Sequence, residues 1–178
     1  MPARHISQLL ARLRRVKLFL CDVDGVLTDG TVWMGNGVET KRFNIRDGLG
    51  LKILRRYGIK VGWVSRRPSN ATRQRAEDLE VDFLMQGDGG KGAFVESILE
   101  QAGLNWSDVC YVGDDIVDLG VMKRAAVAVA VADGVAEAKA AADYVTKAAG
   151  GHGAVREMVE LILKAQNKWG RAVAEYAG

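Results

Sequence analysis

Cys21-Asp22-Val23-Asp24-Gly25-Val26-Leu27-Thr28-Asp29-Gly30 follows directly on an apolar run, Val16-Lys17-Leu18-Phe19-Leu20. That run reads as a buried strand. Two carboxylates two residues apart, Asp22 and Asp24, therefore emerge where the strand ends. In open parallel α/β sheets ligands bind outside the carboxyl ends of the strands. Uncompensated carboxylates this close repel and call for a cation or a shared proton. The tip thus suits a divalent metal and a phosphate. The plainer alternative is a turn capped by aspartates, since Asp-Gly is a common turn pair.

Outward from this point the pattern repeats. Further strand candidates are Lys60–Val64, Asp82–Met85, Val109–Val112 and Val127–Val131, the first being Lys17–Cys21. Helix candidates alternate with them at Gly48–Tyr57, Asn70–Leu79, Gly92–Ala102, Ile116–Ala125, Val135–Ala142 and Ala154–Ala165. This alternation predicts βαβ crossovers and a doubly wound, mostly parallel sheet of Rossmann type, covered by helices on both faces. The 178 residues suffice for one domain with a sizeable core, residues 1–178, with a C-terminal helix and tail from about 154 to 178.

One segment breaks the rhythm. Thr31–Met34, then Gly35-Asn36-Gly37, then Val38–Phe43 reads as an inserted β-hairpin spanning 31–43, with Asn-Gly supplying the turn. A lone hairpin is marginal in water. Trp33, Met34 and Phe43 are expected to leave apolar surface on it, covered by another subunit or by folding back on its own domain.

Composition narrows the classes. A net charge of +3 is too small to argue for nucleic acid. No stretch approaches a transmembrane length, so no membrane partner is expected. Arg4, Arg12, Arg14, Arg15 and Lys17 cluster early; they read as the solvated face of an amphipathic helix whose apolar side is Ile6, Leu9, Leu10 and Leu13, not as a targeting peptide. Cys21 and Cys110 lie in apolar runs and read as buried thiols of a cytoplasmic protein, with a disulfide conceivable if the two strands are neighbours. His5 and His152 are isolated and read as surface or packing residues.

Four predicted strand tips carry reactive groups. They are Asp22 and Asp24; Ser65-Arg66-Arg67; Gln86–Gly90 leading to Lys91; and Gly113-Asp114-Asp115 with Asp118. Each alone has a capping or turn explanation. All four in this order, each after a strand, are hard to explain that way.

Together they resemble the haloacid dehalogenase superfamily of aspartyl-phosphate-forming phosphatases. The motifs are Asp22-x-Asp24, Ser65, Lys91 and Gly113-Asp114-Asp115. Phe43-Asn44-Ile45-Arg46-Asp47-Gly48, Gln86-Gly87 and Gly150–Glu157 are similar to its capless sugar-acid phosphatases. The gaps from Asp24 to Ser65 and from Ser65 to Lys91 leave no room for a cap domain. The resemblance implies hydrolysis of a sugar-acid phosphate, foremost 3-deoxy-D-manno-octulosonate 8-phosphate and so a place in lipopolysaccharide biosynthesis, with a nine-carbon keto-acid 9-phosphate as the alternative. It implies Asp22 as nucleophile, Asp24 as general acid and base, and Ser65 and Lys91 on the transferring oxygens. It also implies Mg²⁺ held by Asp22, the carbonyl of Asp24 and Asp114. Asp115 would orient Lys91 or lie behind the metal, with Asp118 also in support. Asn44, Arg46, Asp47, Gly48, Lys52, Arg67, Arg75 and Lys91 become substrate-binding candidates, because arginine suits a carboxylate. A homotetramer is implied too, with Gly150–Gly153 giving the tail the flexibility to reach a neighbour. The chain departs from the family at Arg66, where a glycine is usual. A phosphoacceptor signalling domain uses similar groups, but it must retain its phosphoryl group and Asp24 would hasten its loss. A non-catalytic assembly module would not need all of these residues.

Overall fold

A computed structural model describes residues 3–178, with side chains from Ile6 onward. Arg4 and His5 lie outside the described side chains, and Pro2 outside the described residues.

The apolar runs form strands and pair as a parallel sheet. These are β1 (Leu18–Cys21), β4 (Lys60–Ser65), β5 (Phe83–Gln86), β6 (Val109–Gly113), β7 (Val127–Ala130) and a short β8 (Tyr144–Val145). The order across the sheet is β5-β4-β1-β6-β7-β8, every pairing parallel. β1, β4, β6 and β7 are buried nearly throughout, as expected for strands covered on both faces. The helices are α1 (Ala3–Leu13), α2 (Ile45–Arg56), α3 (Asn70–Asp78), α4 (Lys91–Ala102), α5 (Leu119–Met122), α6 (Ala136–Ala141), α7 (Ala154–Ala165) and α8 (Trp169–Ala177). Two core clusters result. One, on Phe19, Trp63 and Val112, lies against α1, α2 and α7; the other, on Leu20, Tyr111 and Val95, lies against α4 and α5.

The differences from the expectation are local. The segment 116–125 is a 3₁₀ turn, Ile116–Asp118, followed by the short α5. β8 and the separate helix α8 add to the strand and helix candidates read from the sequence. β1 and β6 are neighbours, yet Cys21 sits opposite Val112 and Cys110 opposite Phe19. The two thiols are out of register by two residues, and both are free and buried. Burial pushes both thiols up, so they stay protonated.

The hairpin forms as β2 (Trp33–Gly35) and β3 (Val38–Thr40). Asn36 and Gly37 take φ values of 49° and 73°, the positive angles that a tight two-residue turn requires. Trp33, Met34 and Val38 are 68%, 71% and 62% exposed. Phe43 differs from expectation: it stacks on buried Trp63 of the same chain, ring centroids 6.1 Å apart. The hairpin's foot is thus anchored and only its arms project.

The late glycines also behave differently. Gly150 and Gly151 lie against the loop after β1, and Gly151 N–H donates to the Val26 carbonyl at 2.9 Å. A Cβ on Gly150 would sit 1.8 Å from the Gly25 carbonyl oxygen. These glycines permit close backbone approach and do not form a flexible joint. α7 then packs on α2 and α1, and α8 on α7, within the same chain.

Trp63 is the largest fully buried side chain and lies in the first core cluster. Trp63→Ala is expected to cost roughly 3–5 kcal/mol in urea unfolding, and Trp63→Phe clearly less. Equal losses for the two would show that the ring's volume is not what is felt.

Candidate active site

Three adjacent strand ends, those of β1, β4 and β6, point their loops to one edge of the sheet. The loop after β1 carries Asp22 and Asp24; β4 ends in Ser65, followed by Arg66 and Arg67; β6 ends at Gly113, followed by Asp114 and Asp115. Lys91, the first residue of α4, reaches the same point from the loop after β5. A pocket of about 210 Å³ is lined by Asp22, Asp24, Ser65, Arg66, Arg67, Lys91, Asp114, Asp115 and Val117. The sequence-predicted catalytic and metal residues are all brought together here.

Asp22 is held firmly. Its Oδ1 accepts from Val23 N–H at 2.6 Å, and its Oδ2 lies 2.7 Å from Lys91 Nζ. Burial pushes its pKa up to about 6, against the pull of Lys91. The Lys91 ammonium is the contact that favours its ionised form. Burial works against charge on Lys91 too, but Asp22 and Asp118 outweigh it and raise its pKa. A cation at a helix N-terminus is disfavoured by the helix dipole, so these two carboxylates are what keep Lys91 there.

Asp118, not Asp115, orients Lys91. Asp118 Oδ1 accepts from Lys91 Nζ at 2.6 Å and from the Tyr111 hydroxyl, while Oδ2 accepts from the N–H groups of Asp114 and Asp115 at 3.1 and 3.3 Å. It is fully buried. Asp115 faces outward and instead caps its own 3₁₀ turn through Ile116 N–H at 2.6 Å. The reason is geometric: the turn carries Asp118 back beneath the loop, while Asp115 sits at its mouth.

Asp22, Asp114 and Asp118 offer carboxylate oxygens within 4.8 Å of one another. Asp118 is saturated by its four donors. Asp114 is not: its Oδ1 is buried and has no hydrogen-bond partner among the described residues. Burial, with Asp22 and Asp118 nearby, pushes Asp114 up to about 8. A Cβ on Gly25 would sit 2.1 Å from Asp114 Oδ2, and Gly25 has a φ of 89°, so only glycine lets this carboxylate in. Two oxygen donors of high charge, one lacking a partner, fit a hard divalent cation such as Mg²⁺.

Asp24 has a partner that the sequence reading missed. Lys41, just past β3, lies 2.7 Å from Asp24 Oδ1 and 2.9 Å from Oδ2, with its side chain fully buried. It also donates to Thr72 Oγ1 at 3.2 Å. The signal was present in the alternation of β3: Glu39, Lys41 and Phe43 share one face, and anchored Phe43 marks that face as inward.

The substrate-binding candidates scatter. Arg67 lines the pocket, but its Nη2 is held 2.6 Å from Glu39 Oε2. Asn44 caps α2, accepting from Arg46 N–H, and donates to the Gly151 carbonyl. Asp47 is buried and accepts from Arg156 N–H at 2.7 Å, steadying the start of α7. Gly48 packs where a Cβ would meet Arg75 Nη2 at 2.6 Å. Arg75 pairs with Asp78. Arg46 and Lys52 are exposed on α2. None of Asn44, Arg46, Asp47, Gly48, Lys52 or Arg75 lines this chain's pocket.

With this geometry in place, comparison with known proteins places the chain. Residues 77–158 match the model of the haloacid dehalogenase-like hydrolases. The 3-deoxy-D-manno-octulosonate 8-phosphate phosphatase of Escherichia coli K12 is 40% identical over 163 residues, 91% of this chain and 87% of that protein. The chain belongs to the haloacid dehalogenase-like hydrolases. Among solved structures of this family, the Moraxella catarrhalis 3-deoxy-D-manno-octulosonate 8-phosphate phosphatase, in complex with magnesium, phosphate and KDO, is 36% identical, with a TM-score of 0.94 over 97% of this chain and 99% of that one. The Yersinia pestis enzyme of the same name is 39% identical, with a TM-score of 0.90 over 92% and 89%. The six-stranded parallel sheet without a cap domain is thus the family fold in its capless form.

Asp22 and Asp114 carry raised pKa values, so the folded chain binds protons that the unfolded chain, with carboxyls near 3.8, has released. The stability this contributes is present at low pH and is lost as pH rises through about 6 and then about 8. A divalent cation held by these carboxylates would take the proton's place. The melting temperature of metal-free protein is expected to fall between pH 5.5 and 8.5, and saturating Mg²⁺ to flatten the curve, with Asp114→Asn removing most of the metal-free slope. A metal-free melting temperature that rises over this interval would contradict the charge assignment.

Proposed function

We propose that this protein is an Mg²⁺-dependent phosphatase of a sugar-acid phosphate, 3-deoxy-D-manno-octulosonate 8-phosphate, acting through an aspartyl-phosphate. The observation that carries this reading is the convergence of Asp22, Asp24, Ser65, Lys91 and Asp114 on one small polar pocket. The 40% identity to a phosphatase of that substrate supports the choice of sugar acid.

The chemistry follows from the side chains. Asp22 Oδ attacks phosphorus, and the bond to the sugar oxygen breaks as Asp24 gives that oxygen a proton. Asp24, now a carboxylate, takes a proton from water as the water attacks the phosphorus, and Asp22 is released with inorganic phosphate. Lys91 and the Ser65 hydroxyl bind the non-bridging oxygens. Asp22, Asp114 and the backbone carbonyl of Asp24 would hold Mg²⁺, which offsets the repulsion between carboxylate and phosphate. Asp118 aims Lys91. Arg67, tethered by Glu39, and exposed Arg66 stand at the mouth, where a carboxylate-bearing sugar passes.

One domain, residues 1–178, carries this machinery, and the hairpin replaces a cap. Trp33 and Val38 lie on one face of the hairpin, with Thr40 opposite Trp33 and Gly35 opposite Val38. An exposed apolar face on a projecting arm favours burial between subunits. Four copies assemble through it as a homotetramer in the cytoplasm, and the neighbour walls the open pocket. This excludes water and strengthens the electrostatic terms. Among the described residues no helix is long and apolar enough to cross a membrane.

Asp22→Asn is expected to abolish phosphate release. Asp24→Asn should lower kcat by roughly 10²–10⁴-fold while leaving Mg²⁺ affinity near wild type. A loss of Mg²⁺ affinity in Asp24→Asn equal to that in Asp114→Asn would overturn the division of roles.

For the wild-type tetramer, kcat/KM for 3-deoxy-D-manno-octulosonate 8-phosphate should exceed that for glucose 6-phosphate by about tenfold or more, a difference of about 1.4 kcal/mol at the transition state. A Trp33→Asp, Val38→Asp variant should sediment as a smaller species and lose most of that preference. A monomeric wild type that is fully selective would rule out the hairpin as the substitute cap. Preference for a nine-carbon acid 9-phosphate would move the substrate, not the mechanism.

A further inference from the structure

Asp22 and Asp24, at the start of the loop after β1, each face a buried ammonium. For Asp22 it is Lys91, within the motifs already described. For Asp24 it is Lys41, which belongs to none of them. The Lys41 side chain is fully buried while that of Asp24 is 23% exposed, so the pair is closed on the lysine side and open on the pocket side. Lys41 does not line the pocket that holds Asp22, Asp24, Ser65 and Lys91. Its effect on a substrate there passes through Asp24.

Lys41 is held from several directions. Thr72 of α3 accepts from it at 3.2 Å, and Glu39 Oε1 stands 3.6 Å away. Glu39 in turn accepts from Ser69 Oγ at 2.6 Å and pairs with Arg67 at 2.6 Å. Ser69 caps α3 through Thr72 N–H at 3.2 Å. The chain Asp24–Lys41–Glu39–Arg67 therefore ties the loop after β1 to the foot of the hairpin and to the loop after β4. Lys41 is also the only side chain that hydrogen-bonds the Asp24 carboxylate among the described residues. Burying an ammonium is costly, and a buried ion pair is poor at adding stability over an apolar pair of the same size. Stability alone is thus a weak reason for this lysine; holding Asp24 in one place is a strong one. General acid catalysis demands such placement, because the proton must lie within hydrogen-bond reach of the leaving oxygen.

We propose that Lys41 is the positioning residue of the acid–base step, fixing the Asp24 carboxyl at the pocket wall through a network anchored on Glu39 and Thr72. The proposal rests on the phosphatase reading above. It predicts a dependence on leaving group. A sugar alkoxide needs a proton as it departs, whereas p-nitrophenolate scarcely does, so only the former needs Asp24 in place during attack on phosphorus.

The test measures kcat/KM, which reports steps through formation of phospho-Asp22, for the sugar-acid phosphate and for p-nitrophenyl phosphate. Lys41→Met is expected to lower the first by roughly tenfold or more and the second by less than about threefold. Lys41→Arg, which keeps the charge, should recover much of the loss. In an Asp24→Asn background Lys41→Met should add less than about twofold, because both changes remove one function. Thr72→Val keeps the lysine but frees it, and should show a weaker form of the same selectivity; it carries the test if Lys41→Met does not fold, as judged by its melting temperature. Equal losses on both substrates, or losses that multiply with those of Asp24→Asn, would overturn the proposal. Absence of any Mg²⁺-dependent phosphate release from the wild type would instead sink the phosphatase reading itself.

Discussion

Four carboxylates, those of Asp22, Asp24, Asp114 and Asp118, crowd the carboxyl edge of two neighbouring strands, and the rest of the molecule is arranged to tolerate them. Like charges this close in a partly buried site repel strongly. Lys91 answers Asp22 and Asp118 together, at 2.7 and 2.6 Å, and Lys41 answers Asp24. Asp118 is further quieted by Tyr111 and two backbone N–H groups. What remains uncompensated is Asp114, with a buried oxygen lacking a partner and a pKa near 8. That residue is the one the proposed divalent cation would neutralise. Two glycines make the crowding possible: Gly25 leaves room for the Asp114 carboxylate, and Gly113 for the Asp118 side chain, whose Cβ and Cγ would stand 2.6 Å from an added methyl.

This charge arrangement suits the proposed division of roles, with Asp22 as nucleophile and Asp24, two residues on, as acid and base. Asp22 is fixed between Val23 N–H and Lys91, whose charge favours its ionised form. Among the described residues the Asp24 carboxylate has no backbone donor and is held from behind by a single lysine that arrives from the hairpin. Two carboxylates of identical chemistry are thus given different surroundings, the general way in which proteins divide acid–base labour. The hairpin has two parts with different duties. Its foot, through Phe43, Lys41 and Glu39, is built into the core and the active-site edge; its arms, through Trp33 and Val38, present apolar surface outward.

Much was legible in the residues alone. Apolar β-branched runs alternating with helical periodicity determined a doubly wound parallel sheet, because a strand buried on both faces has no polar positions to spare. Asp22, Asp24, Ser65, Lys91 and Asp114 could be read because each follows a strand, and strand ends in such a sheet share one edge. The Asn36-Gly37 pair determined the hairpin turn for a purely local reason, its positive φ angles. Tertiary structure decided what depends on neighbours distant in sequence. It placed Asp118 rather than Asp115 under Lys91, since a 3₁₀ turn rotates one inward and the other out. It put Asp47 against the start of α7 and bound Arg75 to Asp78, away from this pocket. It turned Gly150 and Gly151 into a packing surface for the loop after β1. Above all it brought Lys41 to Asp24 across 17 residues. Local propensity sets backbone conformation within a few residues, whereas the partner of a buried charge is chosen only when the whole sheet edge closes around it.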